Sequence, residues 1–228
     1  MIFWIGKELK TSQVCLPPNS ELMLDQQTHV ITAELISSAQ NYSEYREMID
    51  RLLAENKTTG INHSESYLDY TKMNVQRMNR WDKTAKISPE LEKAVASISS
   101  AQVWLVITEA WCGDAAQSVP FIAKLAALNP LIDLKFVLRD ENPELMDAYL
   151  TEGARSIPIL IGLSGDLSKE LFVWGPRPEF LQNRLKAYKL DPQNITSKEF
   201  ADGTHLWYAR DKNKAIAEEL TPLIASTI

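Results

Sequence analysis

The change of hydrophobic period near residue 100 is the strongest constraint on the fold. Up to that point apolar residues recur at spacings of three and four, as in Tyr45, Met48, Ile49, Leu52 and Leu53. Val103-Trp104-Leu105-Val106-Ile107 then forms an unbroken, β-branched-rich apolar run, the mark of a strand buried on both faces. A chain with helices first and such a strand in its middle must wrap helices around a sheet.

Before the switch, the spacing predicts a helix from Ser43 that stops near Gly60. A second runs from Ser64 or Ser66 to about Trp81, with Tyr67, Tyr70, Met73, Val75 and Met78 as its apolar contacts. A third opens at Ser88-Pro89-Glu90, a Ser cap followed by Pro at the first helical position. Asn74, Arg77 and Arg80 share one side of the second helix. There they either serve an anionic group at a site or form a solvated face balanced by Asp82 and Glu65.

After the switch, a helix is expected from Gly113 to Leu128, a strand over 131–138, and a helix from Pro143 to about Glu152. A strand over Ile157–Gly162 follows, then a strand over Glu170–Trp174 paired with it in a hairpin, and a helix from Arg177-Pro178 to Tyr188. Residues 191–228 read as a polar connection and one helix, His205 to Ile224, docked through Leu206, Trp207, Ala215, Ile216, Leu220 and Leu223. The organisation expected is a flexible arm over 1–22, a helical extension over 23–87, a mixed-sheet domain over 88–190 and the C-terminal piece over 191–228.

Trp111-Cys112-Gly113 at the end of the first strand resembles the thioredoxin family, and four further features carry the likeness. Pro120 stands eight residues after Cys112, where the family has a helix-kinking proline. Asp140-Glu141-Asn142-Pro143, with Tyr149 beyond, is similar to the family's segment between second strand and helix. Ile157-Pro158 falls where the family has a cis-proline, and Gly175 where a glycine closes the last hairpin. The resemblance implies an α/β thioredoxin-like mixed sheet flanked by helices, with Cys112 as nucleophile. It also implies that Trp111, Gly113, Asp114, Ile157 and Pro158 line the substrate groove.

Three departures from the family weaken ordinary dithiol chemistry. Ala115 replaces the second cysteine of the Cys-x-x-Cys motif, Asp114 replaces the usual proline, and Val106 stands where the family keeps a buried acid. At a helix start, free N–H groups and the dipole lower a thiol's pKa, whereas the Asp114 carboxylate two residues on favours the protonated form. Two readings therefore stay open. In one, Cys112 is a monothiol acting in thiol–disulfide exchange or redox sensing, with a protein disulfide or a low-molecular-weight thiol as partner. Its mixed disulfide is then resolved by a small thiol, a partner protein or the distant Cys15, which otherwise is a small residue in the arm. In the other, the protein is a redox-inactive module that binds an extended peptide along the loop before Pro158.

The bulk numbers exclude several alternatives. A net charge of −6 argues against a general nucleic-acid or anionic-membrane binder, and no apolar run approaches the length of a membrane span. Two cysteines in 228 residues fit a reducing compartment, the cytoplasm. His29, His63 and His205 are dispersed, so no metal site is expected, and nothing calls for a cofactor.

Overall fold

The computed structural model describes residues 30–228, and the expectations for the 1–22 arm and Cys15 fall outside them. Four strands form one sheet in the order β2-β1-β3-β4, namely β1 (Gln102–Thr108), β2 (Ile132–Leu138), β3 (Ile159–Ser164) and β4 (Glu170–Trp174). β1 pairs parallel with β2, Val106 opposite Phe136, and antiparallel with β3, Ile107 opposite Ile159. β3 and β4 form the expected antiparallel hairpin. Every residue of β1 is buried, as its continuous apolar run requires.

Ahead of the sheet come α1 (Ala33–Ser38), α2 (Tyr42–Ala54), α3 (Glu65–Thr84) and α4 (Pro89–Ala96). Asn41 and Glu44 start α2 with a reciprocal capping box, and the Ser88 side chain caps α4 by accepting from Leu91 N. α2 lies on β2, with the Tyr45 ring stacked on Phe136 at 5.2 Å and Tyr42 tilted against it at 5.8 Å. Gln40 exchanges backbone hydrogen bonds with Phe136 and so closes part of the β2 edge.

α3 departs from its expected pattern. Its buried stripe is Thr71, Asn74, Met78 and Trp81, while Tyr70 and Met73 are exposed. Two polar residues go inside because partners wait there: Thr71 Oγ1 meets Thr58 Oγ1 at 2.5 Å, and Asn74 Nδ2 donates to the Ala110 carbonyl at 2.9 Å. Gly60 does not stop a helix; α2 has already ended at Ala54, and Gly60 lies in the following loop.

Within the sheet region α5 (Gly113–Ala126) packs along α3, and α6 (Pro143–Ala148) is shorter than expected. α6 ends early because Glu152 and Gly153 adopt positive φ and Thr151 bridges to Ala154. α7 is Glu179–Leu190. The single C-terminal helix is corrected to two, α8 (Ser197–Asp211) and α9 (Lys214–Ala225). The chain breaks between them because Lys212 (φ 55) and Asn213 (φ 65) are both left-handed, a conformation no helix continues. α8 buries Tyr208 and leaves Leu206 half exposed, and α9 docks Ile216 and Leu220 against α4 and β4.

Gly175 follows β4 with φ +128, and a Cβ there would press into the Pro158 carbonyl oxygen. Gly175→Ala should therefore cost roughly 3 kcal/mol or more. Urea unfolding measures this, and a loss under about 1 kcal/mol would mean that the Pro158 loop yields freely.

Candidate functional site

β1 delivers the chain to Glu109-Ala110-Trp111-Cys112, and α5 begins at Gly113. The local start is dictated by chemistry: Cys112 is the extended N-cap residue, its Sγ accepts from Ala115 N at 3.5 Å, and Asp114 adds a carboxylate to the first turn. The Ile157–Pro158 peptide bond is cis. The Cys112 thiol donates to the Ile157 carbonyl at 3.3 Å, so the lone sulfur and the proline loop do face each other.

The surroundings of the thiol were not legible in advance. Cys112 is 9% exposed and belongs to the apolar core. Burial, and then the Asp114 carboxylate, push its pKa up to about 12, against smaller opposing effects of the Ala115 and Asp114 amides and Arg177. Asp114 is itself nearly buried. Its Oδ2 accepts from Arg177 Nε at 2.9 Å and Nη2 at 2.7 Å, and its Oδ1 accepts from Tyr208 OH at 2.8 Å. Burial and Asp114 hold the Tyr208 hydroxyl protonated far beyond its usual range.

α8 thus lies over the amino end of α5. The His205 ring is so close to Gly113 that a Cβ there would sit 2.7 Å from Cε1, which explains the glycine. Burial, and then Arg77, push His205 down to about 4, which makes it a neutral acceptor for Gln117 Nε2 at 3.3 Å. Gln117 is a hub: its Oε1 accepts from Trp81 Nε1 at 2.6 Å and its carbonyl from Asn213 Nδ2 at 3.1 Å. Nothing in the sequence pattern singles out Gln117, Arg177 or Tyr208, and Tyr208 was hidden inside a helix read as continuous.

The other anticipated residues divide. Trp111 is half buried, between Tyr67 at 5.2 Å and the Arg139 guanidinium at 4.6 Å. Ile157 and Pro158 are buried beside the thiol. Arg77 reaches toward Gly113 and is held by Asn74 Oδ1 at 2.7 Å, whereas Arg80 turns onto the Trp81 ring. The solvated-face balance fails for this helix, because Asp82 pairs with Arg46 and Asn74 is buried. Among the described residues no group of three or more His, Cys, Asp or Glu is placed to hold a metal, and no helix is long and apolar enough to cross a membrane.

A mixed sheet with a thiol at a helix start, opposite a cis-proline loop, defines a thioredoxin-fold protein. A family model described as thioredoxin matches residues 60–189, more than half of the chain, and the protein belongs to the thioredoxin family. The match takes in α3 as well as the sheet. Among solved structures the chain is similar to a protein of unknown function from Pseudomonas aeruginosa, at 14% identity and TM-score 0.52, covering 83% of this chain and 99% of that one. It is also similar to an HIV epitope-scaffold, at 13% identity and TM-score 0.48, covering 86% and 93%. No curated protein matches.

Glu109, three residues before the thiol, is fully buried. Its Oε1 accepts from Asp140 N at 2.9 Å, and its Oε2 has no hydrogen-bond partner among the described residues. Burial raises its pKa to about 7, offset partly by Thr59 and by the Asp140 amide. A carboxyl that titrates higher in the fold than in the unfolded chain contributes stability below the unfolded pKa and loses it as pH rises through about 7. Glu109→Gln should match the parent near pH 4 and exceed it at pH 8 by up to about 3 kcal/mol. The difference between the two urea-unfolding curves isolates this effect from His205, whose lowered pKa gives the opposite slope. An unchanged difference across pH would remove Glu109 from the account.

Proposed function

We propose that this protein is a thioredoxin-fold binding module of a reducing compartment, the cytoplasm, which keeps Cys112 as a protonated, unreactive thiol. Its partner is an extended polypeptide segment laid along the loop ahead of Pro158, between that loop and Trp111. The observation that carries the reading is the state of the sulfur. It is buried, it donates to Ile157 O, and its ionisation is pushed up to about 12. A thiol ionising there is almost entirely protonated at neutral pH, and the thiolate is the nucleophile. Residues 152–155 of the loop stay exposed, which leaves that backbone open to an incoming segment.

One observation favours a second reading, monothiol exchange: the sulfur does sit 3.3 Å from Ile157 O beside the cis bond. In that case α8 must first lift from Gly113 and Asp114. The Cys112 thiolate would then attack a disulfide of the substrate, forming a mixed disulfide and expelling one substrate thiolate. With Ala115 in place of a second cysteine, a small thiol from solution would have to cleave the mixed disulfide, restoring Cys112 and becoming disulfide-linked to the substrate.

The two readings separate in the pH profile of iodoacetamide labelling of Cys112, followed by intact mass in a Cys15→Ser background. The expected profile has an apparent pKa above about 9.5 and a rate at pH 8 at least ~10-fold below that of a free thiol. Tyr208→Phe, which removes the hydrogen bond from α8 to Asp114, should raise the rate severalfold if α8 is the cover. An apparent pKa at or below the free-thiol value of about 8.5 would replace the binding reading with the redox one.

A further inference from the structure

Away from Cys112, two cavities of about 630 and 350 Å³ adjoin between the start of α4 and the α8–α9 junction, and Lys86 and Lys212 line both. The smaller carries three cations, Arg80, Lys86 and Lys212, and no carboxylate. The larger has an apolar stretch of wall at Ile87, Ala217 and Pro222; of its charged groups Lys214 is paired with Glu218 at 3.6 Å, and Glu90 is a second carboxylate, which leaves phosphates to the smaller hollow. In a chain of net charge −6, Arg80, Lys86 and Lys212 have no ion-pair partner among the described residues. Arg80 is fixed by the Trp81 ring 4.3 Å away, which leaves its guanidinium edge for a ligand.

The wall between α8 and α9 is also unusual. Lys212 and Asn213 are consecutive non-glycine residues at φ 55 and 65, a conformation that collects at ligand clamps. Asn213 is 1% exposed, lines the larger cavity, and its Oδ1 has no partner among the described residues. Lysines around a small hollow bind phosphate as point charges, and an apolar chamber of this size takes the body of a small organic molecule.

From this juxtaposition we infer that the cleft binds an organic phosphate of nucleotide size, its phosphates among Arg80, Lys86 and Lys212 and its apolar body against Ile87, Ala217 and Pro222. The inference is independent of what Cys112 does.

Calorimetric titration of the full chain with ADP, adenosine and inorganic pyrophosphate tests it. ADP should bind once per chain, with an affinity that falls as salt rises. Adenosine should give no heat at the same concentrations, and pyrophosphate should bind at least ~10-fold more weakly than ADP. Lys86→Glu combined with Lys212→Glu should weaken ADP at least ~10-fold. Both side chains are exposed, so the ligand-free melting curve should stay nearly unchanged. The inference is overturned by the absence of heat with ADP up to about 5 mM, by ADP binding that survives the double charge reversal, or by pyrophosphate binding as tightly as ADP.

Discussion

The Asp114 carboxylate holds the working end of this molecule together. One of its oxygens takes two donors from Arg177, at the start of α7, and the other takes the Tyr208 hydroxyl from α8. A nearly buried ion pair of this kind has repaid its desolvation only because every oxygen is engaged, and removing one partner strands a charge at a cost of about 3–5 kcal/mol. Through Asp114 the helix that begins at the thiol is bound to the strand end that follows β4 and to the C-terminal helices. The same carboxylate opposes ionisation of Cys112. The interaction that closes the site therefore also works against the thiolate.

A second set of contacts explains why the first helices belong to the functional part of the chain. Ala110, two residues before the thiol, has both backbone groups satisfied from outside the sheet region. Its N–H donates to Thr59 Oγ1 at 2.8 Å, and its carbonyl accepts from Asn74 Nδ2. Trp111 is then flanked by Tyr67. The loop that presents Cys112 is shaped by the 58–60 segment and α3, and without them it would carry buried, unpaired backbone groups. The family match, which begins at residue 60, takes in α3 and Asn74.

The two faces differ in their chemistry. At the thiol, Asp114 is paired with Arg177 and the sulfur is buried. At the α8–α9 junction, Arg80, Lys86 and Lys212 stand around a hollow without an ion-pair partner among the described residues. Gln117 and Asn213 connect the two regions through a short hydrogen-bonded path, from Asn213 to the Gln117 carbonyl and from the Gln117 side chain to His205 over Gly113.

The sequence by itself determined the elements whose cause is local: the doubly buried β1 from its apolar run, the α4 start from Ser88-Pro89, the hairpin of β3 and β4, and the facing of Cys112 and Pro158 through a family resemblance. It misjudged α3 because period alone ranks Tyr70 and Met73 above Thr71 and Asn74, and burial of the latter two depends on partners far along the chain. The split of the C-terminal helix was invisible because Lys212 and Asn213 carry no glycine or proline to announce it. Whether the thiol ionises was decided only in three dimensions. A helix start lowers a thiol's pKa, but burial of the sulfur and the held Asp114 charge outweigh it, and that charge is held only because residues 63 and 94 positions beyond Asp114 fold back upon it.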